Sequence, residues 1–233
     1  AQRCYEEHKA LTYPRTSSRY LTGDMVPDIK PTAGKVGRQS EYSKAAEYVQ
    51  GLDMLPLGRV VDDAKVGDHH AIIPTNAEHK LAKMNDDDRR IYDLVARRFL
   101  AVFHPDAEFE NTRIETTVAE HVFRTRGKVL IVPGWRGAYG ELPDGEGSDD
   151  DEGRDQQLPK LERGEGVLTT NVEVLEKETK PPRRYSDASL LGVMEAAGKL
   201  VDDEELREAM TDSGIGTPAT RAAIIERPSA PAR

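Results

Sequence analysis

Residues 86–103 carry the strongest helical pattern in the chain, and the way it stops constrains what can surround it. Ile91, Leu94, Val95, Arg98, Phe99 and Val102 recur at spacings of three and four. Asn85 can cap the start, and His104-Pro105 ends the run. Beyond that proline the period changes. Residues 108–120 and 122–130 are rich in Thr, Val, Ile and Phe with near-alternating polarity, which predicts strands with a turn at Arg126-Gly127. A chain whose apolar period switches in this way needs a helical part and a β part. Upstream, helices are expected over 1–12 (Ala1, Cys4, Tyr5, His8 and Leu11 on one side) and 40–52 (Tyr42, Ala45, Ala46, Val49 and Leu52). Prolines and glycines mark 26–38 as a loop. Downstream, a strand is expected over 166–180, a boundary at Pro181-Pro182, a helix over 186–197 capped by Ser186, and a short acidic helix over 202–210.

Composition fits several small lobes better than one compact core: of 233 residues, 37% are hydrophobic and 32% charged. No apolar run reaches membrane-spanning length and no signal peptide opens the chain. One cysteine, Cys4, excludes a disulfide framework and a multi-cysteine zinc site, in keeping with a reducing cytoplasm. The net charge of −9 argues against phosphate binding until its distribution is examined. Residues 141–155 hold eight acids and one base, so most of the negative charge sits in one Gly-rich stretch. That stretch, about 141–157, cannot bury enough apolar surface to order itself and is expected to be a disordered loop. The rest of the chain is close to neutral, which leaves room for a local basic groove.

Near the start the chain reads Leu11-Thr12-Tyr13-Pro14-Arg15-Thr16-Ser17-Ser18-Arg19-Tyr20-Leu21. A phenol of pKa ~10 is a weak nucleophile unless a cation stabilises the phenolate and the charge on its target. Arg15 can grip two phosphate oxygens with its planar fork. Pro14 pushes Tyr13 toward extended backbone, where residues two apart share a side. Tyr13 and Arg15 can then face one phosphate. A strand end with a half-buried tyrosine is the plainer reading.

Two further motifs stand out. Asp68-His69-His70-Ala71-Ile72-Ile73-Pro74-Thr75 offers a histidine able to donate to phosphate or move a proton, beside an acid able to orient it; a capping or buried histidine pair is the alternative. Gly214-Ile215-Gly216-Thr217-Pro218-Ala219-Thr220-Arg221 reads as a capped helix start, with Thr217 as N-cap and Pro218 in the first turn, whose exposed N–H groups suit an anion; a helix start with no ligand is the alternative. The acid runs at 62–63, 86–88 and 149–152 are expected on solvated faces or in loops.

These three strings, in this order, resemble the signatures of type IA DNA topoisomerases in the form of bacterial topoisomerase III. The resemblance covers roughly 1–226. One departure is Ser17, where the family often has an acid. The resemblance implies part of a toroid: a helical lobe with the tyrosine (1–107), a β-rich arch (108–180) and the start of a helical DNA-binding lobe (181–233). It implies that Tyr13 cuts a single DNA strand and holds its 5′ phosphate, and that no ATP is needed. Arg15 and His69 would assist at the phosphate. Thr16, Ser18, Arg19 and His70, with Gly216, Thr217, Thr220 and Arg221, would contact DNA. Mg²⁺ is implied as cofactor, its acids belonging to a TOPRIM domain that precedes the tyrosine motif in the family and is not in this sequence. The implied partner is single-stranded DNA and the implied place the bacterial cytoplasm, at the nucleoid. Ala1 opens the chain inside a helical pattern, and 227–233 departs from the family, so a piece of a longer protein is expected. A non-catalytic single-strand binding fragment, or a degenerate remnant, is the competing class. A tyrosine recombinase is disfavoured, because that family carries its tyrosine near the C-terminus.

Overall fold

A computed structural model of the chain describes residues 1–140, 157–179, 181–210 and 214–226. Almost all of the acidic stretch and the whole 227–233 tail lie outside them. The chain divides into two compact units: Ala1–Pro14 with Arg19–Glu173, and Arg15–Ser18 with Val174–Arg233.

In the first unit the elements are α1 (Gln2–Glu6), α2 (Val26–Val36), α3 (Ser43–Gly51), α4 (Asp86–Ala101), β1 (Glu108–Val118) and β2 (His121–Val132), joined by short 3-10 turns. Helix α4 is the core of the helical part. Asn85 caps it by accepting from Asp88 N at 2.9 Å, and Asp86, Asp87 and Asp88 complement the positive end of its dipole. Its buried seam is Tyr92, Ala96, Phe99 and Leu100. The expected face was rotated: Leu94 is 61% exposed, while Ile91, Val95 and Val102 flank the core half-buried. Tyr92 turns the helix inward because its hydroxyl finds a partner there, His79 Nδ1 at 2.7 Å.

The segment expected as a loop over 26–38 is instead helix α2, which buries Ile29, Thr32, Ala33 and Val36. Pro27 lies in the first turn, where a missing N–H costs nothing. Pro31 sits inside the helix, and Gly37 closes it. That glycine serves packing rather than a turn: a Cβ there would lie 2.5 Å from the Ala46 Cβ of α3. Close approach of α3 supplies the burial that makes a proline-containing helix worthwhile, and no local pattern reports it. Helix α1 is much shorter than the expected 1–12. Ala10 N and Leu11 N both close on Cys4 O, Lys9 takes a left-handed φ of 52°, and the chain leaves extended.

The hairpin β1–β2 runs antiparallel with Thr112 opposite Gly127 and Val118 opposite His121. The expected turn at Arg126-Gly127 is therefore mid-strand. The reversal is at Ala119-Glu120, both at positive φ, the backbone twist that two-residue hairpin loops favour. Gly134, at φ 49°, lets the turn after β2 pack on Asp106 O, which a Cβ would meet at 2.4 Å. Residues 166–179 are not a strand: the hairpin is the only sheet among the described residues.

The second unit holds α5 (Asp187–Glu195), α6 (Glu204–Met210) and α7 (Arg221–Glu226). Ser186 caps α5 in a reciprocal capping box with Ser189, and Met194 is buried. No helix among the described residues is long and apolar enough to cross a membrane.

Candidate active site

Tyr13 lies at the end of a short extended segment held by the chain around His69. Leu11 bridges Pro74 in antiparallel fashion, Thr12 N donates to Ile73 O at 2.9 Å, and Thr75 N donates to Ala10 O at 2.9 Å. Thr12 adds a side-chain clasp. Its Oγ1 accepts from Ile73 N at 3.0 Å and donates to Ala71 O at 3.3 Å. Leu11, Ala10 and Pro74 are fully buried, so the paired stretch is rooted in the core while Tyr13, two residues on, is half-buried. The Tyr13 ring packs on the His69 ring at 4.4 Å between centroids, tilted 46°, and meets Tyr5 edge-on at 5.5 Å. His69 is exposed. The phenol and the first histidine of the pair, 56 positions apart, thus share one face.

The far end of the tyrosine motif is pinned to the same scaffold. Ala71 N donates to Tyr20 O at 2.8 Å, and Leu21 pairs in parallel with Val61, through Leu21 N to Val60 O and Asp62 N to Leu21 O. Residues 60–75 therefore hold both the entry to the motif and its exit. His70 is half-buried and turned to the backbone: its Nδ1 donates to Ala71 O at 2.7 Å.

Two buried polar contacts lock this scaffold to α4. Asp88 is only 5% exposed and receives Arg3 (Nε to Oδ1 at 3.2 Å, Nη2 to Oδ2 at 3.0 Å) and His8 (Nε2 to Oδ2 at 3.2 Å). Burial alone would raise its carboxyl pKa. The hydrogen bonds from His8 and Arg3 outweigh burial and hold it below the usual carboxylate range. This corrects the expectation that 86–88 is a solvated acid face: Asp86 and Asp87 are exposed, while Asp88 ties α1 to α4. His79 is the second contact. Its Nε2 donates to Thr75 O at 2.9 Å, so Nδ1 accepts from the Tyr92 hydroxyl. Burial pushes its pKa down, which keeps that neutral tautomer, and burial likewise drives the Tyr92 phenol well above its ordinary value. Thr12, Asp88 and His79 escaped the sequence reading. The S/T/D/N-to-cap logic identified Asn85, but no spacing rule pairs position 3 or 8 with position 88.

The remaining candidates are placed as follows. Arg19 is exposed in the first unit. Arg15 (exposed), Thr16 and Ser18 group with the second unit, where Ser18 N donates to Thr16 Oγ1 at 3.0 Å. In that unit Gly216 has a φ of 69°, and Thr217 and Thr220 clasp each other: Thr217 N donates to Thr220 Oγ1 at 2.9 Å, and Arg221 N donates to Thr217 O at 3.0 Å. Arg221 is buried, its Nε spent on Ile215 O at 3.1 Å, so it props the glycine loop. Among the described residues no group of three or more His, Cys, Asp or Glu could hold a metal ion.

The family model for DNA topoisomerase matches residues 1–229. The chain is similar to the DNA topoisomerase 3 of Bacillus licheniformis (38% identical over 229 residues, 97% of this chain and 31% of the relative) and of Bacillus subtilis (38% over 232 residues, with the same coverage). It thus spans about a third of the length of these relatives. Among solved structures it resembles full-length topoisomerase I from Thermotoga maritima, with a TM-score of 0.59 and 24% identity, covering 93% of this chain and 30% of that one. At that identity the likeness speaks for the fold alone.

Proposed function

Because this chain belongs to the type IA DNA topoisomerase family, in a topoisomerase III-like form, we propose that it carries the strand-cutting tyrosine of such an enzyme and that Tyr13 is that residue. The observation that supports this most directly is the Tyr13–His69 pair, held on a hydrogen-bonded scaffold with the phenol half-buried and the histidine open to solvent. The reaction is a transesterification. Tyr13 Oη attacks a phosphodiester of single-stranded DNA, the Oη–P bond forms and the P–O3′ bond breaks. The phenol loses its proton and the departing 3′ oxygen gains one. One diester replaces another, so the cut needs no ATP, and the 3′ hydroxyl reverses it after another strand has passed. His69 donates to the phosphate or carries the proton. Arg15, two positions on, stabilises charge on the pentacoordinate phosphorus.

Thr16, Ser18, Arg19 and His70, and the loop of Gly216, Thr217 and Thr220 propped by Arg221, position the DNA backbone in this reading. Mg²⁺ is implied by the family. Among the described residues no group of three or more His, Cys, Asp or Glu could hold it, and no step here runs through one. The helical lobe, β-rich arch and DNA-binding lobe at 1–107, 108–180 and 181–233 remain our proposed division.

The test is to mix the chain with a labelled single-stranded oligonucleotide, quench with denaturant, and look for a protein–DNA adduct that survives it. Adduct in the wild type and none in Tyr13→Phe supports the assignment. Adduct retained in Tyr13→Phe refutes it, and binding with no adduct in either makes the chain a single-strand binding module.

A further inference from the structure

Tyr13 has a second aromatic neighbour, to which the proposed reaction gives no part. The Tyr5 ring meets it at 5.5 Å between centroids and 79° between planes, in addition to the 4.4 Å contact with His69. Tyr5 stands eight positions before Tyr13, a separation that an extended chain would stretch to about 26–29 Å. The reversal that brings the rings together is made at Lys9, whose left-handed φ of 52° is unfavourable for a residue with a Cβ. Its surroundings hold it there. Ala10 N donates to Cys4 O at 2.8 Å, Leu11 N to the same oxygen at 3.3 Å, and the Thr75 hydroxyl to Lys9 O. Helix α1 is fixed in turn. Arg3 and His8, on either side of Tyr5 in the chain, both bind Asp88, and Cys4 Sγ donates to Asp88 O at 3.4 Å. A helix of five residues has little stability of its own, so these anchors are what give Tyr5 a fixed place. Burial is not what holds it: Tyr5 is 36% exposed, with Lys9 Nζ over its ring at 5.8 Å.

We infer that Tyr5 is a positioning residue for the Tyr13 phenol, an inference that rests on the reading of Tyr13 as the nucleophile. The phenolic oxygen lies at the far end of a ring that turns on two side-chain torsions, so any change in ring tilt is largest at Oη. Edge-on contact is a preferred geometry of aromatic pairs, and it limits that tilt. Together with His69, Tyr5 sets the direction in which Oη points. Attack on phosphorus tolerates little error in that direction, since a displacement of about 1 Å can cost ~100-fold. Asp88, through Arg3 and His8, thereby holds the nucleophile's neighbour in place as well as joining α1 to α4.

The experiment measures the single-turnover rate of adduct formation, with the chain in excess over a labelled single-stranded oligonucleotide, for the parent, Tyr5→Leu and Tyr5→Phe. Binding is read separately, by anisotropy, in the same chains carrying Tyr13→Phe. Loss of an aromatic pair is expected to slow cutting about fivefold in Tyr5→Leu at saturating DNA. The Kd should move by less than about twofold, because the change acts on the reacting geometry and not on uniform binding. Tyr5→Phe keeps the ring and should cut at the parental rate. The contact is also read without chemistry: the Tyr13 ring resonances, identified by their loss in Tyr13→Phe, should shift in Tyr5→Leu and hold in Tyr5→Phe. A parent that forms adduct while Tyr5→Leu matches its rate overturns the inference and leaves the assignment of Tyr13 standing. Equal slowing in the Leu and Phe variants, a loss confined to Kd, or Tyr13 resonances unmoved in Tyr5→Leu overturns it too. No adduct in the parent overturns the assignment of Tyr13 and the inference with it.

Discussion

Replacing Thr12 by Val tests whether the tyrosine segment is held by its side-chain clasp as well as by backbone pairing. Val keeps the branched shape and removes the hydroxyl. Two hydrogen bonds are lost, one of them, at 3.3 Å to Ala71 O, long and weak. The other leaves the Ile73 N–H without its 3.0 Å partner at a half-buried position. A net hydrogen bond is worth about 1 kcal/mol, and a buried donor left unpaired costs about 1–3 kcal/mol. The expected destabilisation is about 2 kcal/mol, felt first at this clasp. The effect is local to this segment, so the readout is amide exchange at Ile73. About 2 kcal/mol corresponds to a roughly 30-fold faster exchange there. The yield of DNA adduct should fall as well, because a displacement of about 1 Å at a reacting group can cost ~100-fold. Thr12→Ser keeps the hydroxyl and should restore both. Exchange at Ile73 unchanged in Thr12→Val, or equal losses in the Val and Ser variants, would refute the clasp.

Other outcomes follow from the same contacts. Tyr92→Phe leaves His79 Nδ1 without its donor and should cost about 1–2 kcal/mol in urea unfolding, with the slope unchanged. Leu100→Ala, at a fully buried site on α4, should cost about 2–5 kcal/mol in the same assay. The pH profile has a definite sign. His79 has a folded pKa below its unfolded value of ~6.5, so the unfolded chain binds the extra proton, and stability falls as pH drops through that value and on toward the folded one. Asp88 is also depressed, so its contribution is complete above ~3.9 and is lost as pH falls through its folded value. Burial depresses His104 as well, so His79→Gln should reduce the first loss without abolishing it and keep the second, as read by melting temperature between about pH 4 and 8.

Some of this molecule is local and could be read directly. Asn85 and Ser186 cap the helices they precede because a short polar side chain reaches its own backbone N–H groups three residues on. Alternation placed strands at 108–120 and 122–130, and the histidine and tyrosine strings carried enough chemistry to pair them in principle. Other features depend on what the chain meets after folding. Helix α2 forms through prolines because α3 packs against it, with Gly37 giving way to Ala46. The hairpin turns at Ala119-Glu120, without a glycine, because the register buries Gly127 and sets the reversal elsewhere.

The residues that hold the site were the least legible. Thr12 looked like one more hydroxyl in a polar motif, and Asp88 like the third acid of a solvated run. The first acts through a backbone some sixty residues away and the second through Arg3 and His8. The sequence by itself determined the helix caps, the switch from helical to strand period, and which side chains could perform phosphate chemistry, since each follows from a residue and its near neighbours. Only the tertiary structure decided that Tyr13 stands against His69 and that Asp88 is a buried anchor. Those facts rest on partners far apart in the chain, and local propensity carries no information about which distant groups will meet.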